Sequence, residues 1–351
     1  MTTVEVPHSS RSAVLTVSEI VEETADARSL VFEIPAELKD KFDYKPGQFL
    51  TLRIPSDHTG SVARCYSLSS SPFSDPAPKV TVKRTAGGYG SNWICDTLRA
   101  GDTIEVLPPS GIFTPKTFDH DFLLFGAGSG ITPVIAILKA ALTEGTGRVV
   151  LVYANRDESS VIFGAELRAL AATHPKRLTV LHWIESVQGL PSATHLATLV
   201  APYLSHEAYM CGPGPFMDAV HTALADAGMP RTRVHSEVFV SLSGDPFLDA
   251  DVIEVSEAEA ADAATVEVEL DGERHTLSWP RKQTLVDIML AEGLDVPYSC
   301  QEGECGSCAC TVVEGEVRME NSEILDPEDV ENGYILGCQA KPVTDHLKIE
   351  F

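Results

Sequence analysis

The sequence predicts a multidomain chain: an antiparallel β-barrel, an α/β domain built on a parallel sheet, and a small carboxyl-terminal module of strands with one helix. Three observations predict it. From Ala13 to about Phe113, short alternating or β-branched runs are separated by Gly and Pro, the pattern of an antiparallel barrel. From about Asp121 to Val240, apolar strand runs alternate with helical stretches, the pattern of a parallel sheet covered by helices. After residue 264 come two short strands, an amphipathic helix and a cysteine-rich loop. The implied limits are 8–116, 117–240, a linker at 241–263, and 264–351.

With 351 residues, 44% of them hydrophobic, the chain can bury two or three cores. No run approaches 18 apolar residues and residues 1–12 lack an apolar signal core, so no membrane span and no secretion are expected. The eight cysteines then fit a reducing cytoplasm, and a monomer is expected. The formal net charge of −25 is concentrated at the carboxyl end. Residues 241–264 hold seven acids and no base, and residues 265–351 hold 19 acids and six bases. Nucleic-acid binding wants a basic face and is not expected. The acidic module is either a solvated surface or a means of steering toward a basic patch on a partner.

In the barrel region the strand runs are Ala13–Ser18, Ser29–Ile34, Gln48–Ile54, Lys79–Lys83 and Thr103–Val106. Lys45-Pro46-Gly47 and Pro108-Pro109-Ser110-Gly111 read as turns. Among them lies Arg64-Cys65-Tyr66-Ser67. Arg64 can pair with a phosphate, Tyr66 offers a ring to cover a planar heterocycle, and Ser67 offers a hydroxyl to a ring nitrogen. Farther on, Gly87-Gly88-Tyr89-Gly90-Ser91 opens a short helix, where free N–H groups suit a pyrophosphate.

The α/β region begins with the apolar Phe122–Phe125, followed by Gly126-Ala127-Gly128-Ser129-Gly130-Ile131-Thr132-Pro133 and a helix over Val134–Leu142. Glycines between a strand and a helix let backbone donors meet a phosphate, so Gly126, Gly128, Gly130 and Thr132 are candidate nucleotide contacts. Pro133 suits a first helical turn. Strands follow at Arg148–Tyr153, Leu178–Trp183 and Ala208–Met210, with helices at Ala165–Ala172, Ser192–Val200 and Pro215–Ala227, giving about five parallel strands. Cys211-Gly212-Pro213 sits at a strand's carboxyl end, where ligands of open α/β sheets bind. A 2′-phosphate needs a cation. Arg156 could supply one, but Asp157 would repel the phosphate and Glu185 puts an acid after the third strand, so the charges favour NADH over NADPH.

Residues 241–263 mix Ser, Gly, Pro, Asp, Glu and Ala without an apolar stripe and read as an extended, self-repelling linker. Thr265–Leu270 and Glu273–Trp279 form a hairpin around Asp271-Gly272, and Thr284–Ala291 is a short helix. Cys300, Cys305 and Cys308 then fall at C-x4-C-x2-C spacing, and Cys338 follows. That spacing is the plant-type [2Fe-2S] ligand pattern, and Gly303 and Gly306 let the loop curl round inorganic sulfide. A zinc site is the alternative, although four-cysteine zinc sites usually show two C-x-x-C knuckles and only one is present. Cys310 lies two residues past Cys308 and is left out of the ligand set.

The R-x-Y-S run, the glycine turn, the Cys211-Gly212-Pro213 segment and His235-Ser236-Glu237-Val238-Phe239 occur in the order that resembles the ferredoxin–NADP reductase superfamily over about residues 13–240. Residues 264–351 resemble a plant-type β-grasp ferredoxin. The resemblance implies that Arg64, Cys65, Tyr66 and Ser67 hold a flavin. It implies FAD, with Thr81, Val82, Lys83, Tyr89, Gly90 and Ser91 near the diphosphate. It places Cys211, with Gly212 and Pro213, beside the nicotinamide, and Glu237 and Phe239 at the flavin face. Ser67, Cys211 and Glu237 are then the candidate catalytic residues.

Nicotinamide gives two electrons together as a hydride, whereas a [2Fe-2S] centre accepts one at a time. A flavin between them reconciles the two, so the motif order predicts transfer from NADH to FAD to [2Fe-2S] to an outside acceptor. Neither a Rieske C-x-H pattern nor a second metal motif is visible, so the terminal oxygenase is expected on another protein. Within the superfamily, a ferredoxin module behind an FAD reductase resembles the reductase components of bacterial 3-ketosteroid 9α-hydroxylases, which implies a Rieske non-haem iron partner. A neighbouring resemblance is to the reductases of phenylacetyl-CoA epoxidases, which serve a di-iron protein. A redox sensor with little turnover is the alternative from another class.

Overall fold

The computed structural model describes residues 11–57, 59–239, 242, 246–247, 256–270, 272–294, 296–298, 300–322, 324–325 and 327–351. Strands β1 (Ala13–Thr24), β2 (Ala27–Glu33), β3 (Phe49–Ser56), β4 (Gly60–Ser67), β5 (Lys79–Lys83) and β6 (Thr103–Ser110) make one antiparallel sheet in the order β4-β3-β6-β1-β2-β5. A Leu68–Val80 bridge and a 2.7 Å bond from the Ser69 amide to the Lys79 carbonyl join its two edges into a barrel. Leu15, Val17, Leu30, Leu50, Leu52 and Val82 fill the interior, and helix α1 (Tyr89–Thr97) packs Ile94 and Cys95 onto the same core.

One expected turn moves. Pro108 and Pro109 lie inside β6, where a register shift against β3 between Phe49 and Thr51 falls where prolines have no N–H to give. The chain turns after Gly111, whose φ is 113°. The sequence marks the run from Arg64 to Ser67 as a motif and not as a strand, yet it lies in β4. Gly60, Ser61 and Arg64 break the apolar alternation that would mark that strand.

The second domain runs β7 (Phe122–Ala127), α2 (Ile131–Glu144), β8 (Val149–Asn155), α3 (Gly164–Thr173), β9 (Leu178–Ile184), α4 (Glu185–Gln188), α5 (Ala193–Val200), β10 (Glu207–Cys211), α6 (Gly214–Asp226) and β11 (Val234–Glu237). Its five strands are all parallel in the order β11-β10-β7-β8-β9, as the alternation predicts. The order reverses between β7 and β10, so the carboxyl ends of these two strands flank the crevice where such sheets bind ligands. Helix α2 is buried from Ile131 to Leu142 because it is apolar nearly all round and lies between sheet and barrel.

The third domain contains α7 (Glu257–Ala261), β12 (Ala264–Leu270), β13 (Glu273–Trp279), α8 (Leu285–Ala291), β14 (Ala309–Glu314), β15 (Val317–Met319), α9 (Pro327–Glu331), β16 (Tyr334–Leu336), β17 (Ala340–Pro342) and β18 (His346–Glu350). Its main sheet has the order β13-β12-β18-β14-β16, with β18 parallel to β12 in the centre. This sheet holds α8 against a core around Trp279. Thr284 and Asp287 cap that helix reciprocally, the Thr284 side chain accepting from the Asp287 amide and the Asp287 side chain from the Thr284 amide. The expected linker lies mostly outside the described residues, as does Asp271 of the hairpin turn. Among the described residues, no helix is long and apolar enough to cross a membrane.

Candidate active site

Pairing of β3 with β4 sets Phe49 opposite Ser67, Leu50 opposite Tyr66 and Leu52 opposite Arg64. Arg64 donates to the neighbouring Ala63 carbonyl at 2.6 Å and has no acidic partner among the described residues. The start of α1 faces it: a Cβ on Gly90 would lie 2.8 Å from Ile54 Cδ1 and 3.1 Å from Arg64 Cγ. A cation without a carboxylate beside the free amides of a helix start is a donor set for a diphosphate, so the barrel fits FAD. Tyr66 is largely covered, and burial raises its hydroxyl pKa above the ordinary value. Tyr89 donates to the Pro55 carbonyl at 2.6 Å, and Ser91 accepts from the Thr85 amide at 3.0 Å.

On β5, Val82 points into the barrel and Thr81 to the opposite face. Thr81 bonds Ser29 and Ser69 at 2.8 and 2.7 Å, and Val82 is fully buried. Lys83 reaches the other way, 4.0 Å from Asp26 and against Gly128 of the second domain.

At the end of β7 the chain makes one tight turn over Gly128–Gly130 and enters α2. A Cβ on Gly130 would sit 2.1 Å from the Cys211 carbonyl oxygen, and one on Gly212 2.9 Å from Ala127 Cβ. The glycines therefore let the two strand ends approach. The Thr132 hydroxyl closes the turn on the Ser129 carbonyl at 3.0 Å. Pro213 precedes the first turn of α6. Arg156 is exposed and paired with Asp26 at 3.0 Å. Asn155, passed over as a ligand in the sequence, is buried at the carboxyl end of β8 with both amide atoms unbonded. An orphaned buried amide at that strand end fits a bound nucleotide. No motif marks it; its signal is only its place after an apolar strand.

Register pairs Cys211 with Glu237 across β10 and β11. Cys211 is fully buried, and burial followed by the Glu237 charge raises its thiol pKa. Glu237 is partly open by surface area but ringed by protein, and burial raises its carboxyl pKa to about 8. The Ser67 hydroxyl donates to it across the domain boundary at 3.2 Å. His235, on the same strand, stacks on Tyr209 at 4.4 Å, while Phe239 is exposed.

Gly303 and Gly306 take φ of 79° and 70°, and Gln301 takes 57°, so the cysteine loop curls with its amides inward. The Glu302 and Glu304 amides donate to Cys300 Sγ at 3.3 and 3.4 Å, the Cys300 amide to Cys305 Sγ at 3.4 Å, and the Cys338 amide to Cys308 Sγ at 3.4 Å. Cys300 contacts Cys305 and Cys338, and Cys338 contacts Cys308. The Cys305 and Cys338 contacts and the loop amides lower the Cys300 pKa toward thiolate. The four thiols form one connected group with loop amides aimed at their sulfurs, the donor set a [2Fe-2S] cluster needs. The loop thus fits a [2Fe-2S] cluster. Cys310 lies away in the domain core, where burial raises its pKa.

All three domains meet at one cavity of about 810 Å³. The barrel contributes Cys65 and Ser67, the α/β domain Glu237 and Phe239, and the cysteine loop Cys305.

The oxidoreductase FAD-binding domain model matches residues 14–114, the oxidoreductase NAD-binding domain model 124–222, and the 2Fe-2S iron-sulfur cluster binding domain model 268–343. The chain is 77% identical over 351 residues, all of both chains, to the "3-ketosteroid-9-alpha-monooxygenase, ferredoxin reductase component" of Rhodococcus rhodochrous. It is 33% identical to a component of the 1,2-phenylacetyl-CoA epoxidase of Escherichia coli, covering 96% of this chain and 97% of that one. Its fold is similar to that of phthalate dioxygenase reductase, with a TM-score of 0.55 at 23% identity over 97% of this chain and 98% of that one.

Proposed function

We propose, from the premise that this chain belongs to the family of 3-ketosteroid-9-alpha-monooxygenase ferredoxin reductase components, that it draws electrons from NADH and delivers them to a Rieske-type oxygenase acting on 3-ketosteroids. The chain is an oxidoreductase with FAD-, NAD- and [2Fe-2S]-binding domains, and it serves an oxygenase partner. The observation that carries the reading is the cavity shared by Ser67, Glu237 and Cys305, which brings one motif from each domain to one place.

Bound there, a flavin would accept a hydride from nicotinamide and pass the two electrons singly to the cluster. The chain's own residues then do the following. Arg64 and the start of α1 neutralise the FAD diphosphate, and Tyr66 covers the flavin. The turn at Gly126–Gly130, with Thr132 and Asn155, receives the nucleotide. Cys211 packs beside the nicotinamide. Glu237, its pKa raised to about 8, holds a proton at neutral pH, and Ser67 orients its carboxyl toward the cavity. Cys300, Cys305, Cys308 and Cys338 ligate the irons. Pairing of Arg156 with Asp26, together with Asp157 and Glu185, supports NADH over NADPH.

Mixing the purified protein with NADH, a Rieske oxygenase and a 3-ketosteroid should consume NADH in step with hydroxylated steroid. Coupling to a di-iron epoxidase and phenylacetyl-CoA, with none to the steroid pair, would transfer the reading to the relative at 33% identity. Reduction by NADH without sustained turnover on cytochrome c would point to a redox sensor.

A further inference from the structure

We propose that Arg11 and Phe247 form a latch that holds the cluster domain against the barrel, making Arg11 a positioning residue for electron delivery inside the chain. The inference rests on the reading above. Arg11 lies just before β1, and its guanidinium is 3.5 Å from the centroid of the Tyr298 ring, two residues ahead of the cluster ligand Cys300. Its Nη1 donates to the Tyr298 carbonyl at 3.2 Å and its Nη2 to the Pro246 carbonyl at 3.0 Å. One side chain of the barrel's edge therefore grips both the entry to the cluster loop and the segment that joins the domains.

Phe247 completes the grip. It is fully buried in a small apolar patch with Ala63 and Leu107 of the barrel, Leu242, and Cys300. Beneath its ring lies the buried Arg53–Glu105 pair, 3.0 Å between charges, with the Arg53 guanidinium 5.5 Å from the ring centroid. Cys65 of the R-x-Y-S strand and Cys305 flank the patch, so the latch seats the ligand loop on the strand that faces the flavin. Elsewhere on the seat, a Cβ on Gly306 would come within 3.2 Å of Ile112 Cγ1, and Lys116 Nζ lies 5.8 Å from the centroid of the Tyr334 ring. A lysine at position 11 could face the Tyr298 ring, but its ammonium is a single point without the flat fork that stacks on the ring while Nη1 and Nη2 reach separate carbonyls, so arginine is better suited.

The test follows each electron step in the holoprotein by stopped flow with NADH. In Arg11→Ala and Phe247→Ala, flavin bleaching should keep the wild-type rate, while cluster bleaching should slow about tenfold, the change expected if docking loses ~1.4 kcal/mol. Arg11→Lys should recover only part of it. Amide exchange of the protein with and without cofactors should rise over residues 296–306 in both alanine variants, while the unfolding midpoint of Arg11→Ala stays put and that of Phe247→Ala, which empties a buried patch, falls. Wild-type rates of cluster bleaching together with wild-type exchange in the variants would overturn the latch. Failure of NADH to bleach either centre in the wild type would instead overturn the function it rests on.

Discussion

The barrel meets its two neighbours through interfaces of opposite character. Against the α/β domain it buries charge. Lys139 of α2 is 4% exposed and reaches Asp75 of the barrel at 2.9 Å and Glu166 at 3.0 Å, while Lys79 of β5 approaches the same Glu166 at 3.6 Å. Edge-to-face rings at Phe113–Tyr209 and Phe73–Phe118 tighten the same boundary. Against the cluster domain, among the described residues, it offers cations over rings at Arg11–Tyr298 and Lys116–Tyr334, an apolar patch closed by Phe247, and Ile112 beside Gly306. The difference tracks the work of each boundary. Hydride transfer needs its two reacting atoms held in contact, so a fixed boundary suits it. An electron must first enter the cluster and then leave for another protein, so that boundary need only position.

The largest effect expected from breaking one side is that of Cys305→Ala. It removes an iron ligand at the weaker boundary and should abolish electron delivery to the oxygenase, while NADH still reduces ferricyanide through the flavin. An undiminished delivery rate would mean that electrons bypass the loop.

Lys139→Ala comes next and strikes the stronger boundary. It leaves Asp75 and Glu166 without their shared cation, and removing one partner of a buried charge group costs about 3 kcal/mol. The expected result is a lower unfolding midpoint together with a slower first electron step, whereas Arg11→Ala should change neither. Equal midpoints for Lys139→Ala and the wild type would show that the two boundaries do not differ in this way.

The stronger boundary was the less legible one. In the sequence Lys139 looks like the solvent side of an otherwise apolar helix, and nothing in it points to an acid 64 residues upstream. Arg64, the glycines from Gly126 to Gly130, and Cys300 to Cys308 were legible because their chemistry lies in spacing within a few residues. The parallel sheet was legible because its central strands β7, β8 and β10 are buried on both faces and so run almost continuously apolar. Strand β18 was not: it is five residues long, and its place beside β12 depends on pairing across the whole domain. Asn155 and Arg11 share that condition, since each is defined by what a distant segment does or does not bring to it.

A smaller effect is expected from Gly130→Ala, which probes how closely the strand ends must approach. A methyl group there would meet the Cys211 carbonyl carbon at 2.4 Å and its oxygen at 2.1 Å, backbone atoms that cannot swing aside. The turn must shift, at a cost of roughly 1–3 kcal/mol, and the KM for NADH should rise while electron transfer from already reduced flavin to the cluster is unaltered. An unchanged KM would place the nucleotide elsewhere.

The mildest test concerns Glu237, a carboxyl in the cavity where both boundaries converge. Its folded pKa of about 8 lies above its ordinary 4.5, so between those values the folded protein holds a proton that the unfolded chain has released. Its contribution is therefore complete below about pH 4.5 and lost as pH rises through about 8, and stability should fall across that interval. Glu237→Gln stays neutral and keeps an oxygen for the Ser67 hydroxyl, so its unfolding midpoint should decline less than that of the wild type over the same range. The pH profile of NADH-dependent flavin reduction should flatten in the same variant if the proton on Glu237 takes part in ordering the site. Parallel midpoint curves for the two proteins would mean that Glu237 is already ionised at neutral pH and that its carboxylate is stabilised by contacts other than Ser67.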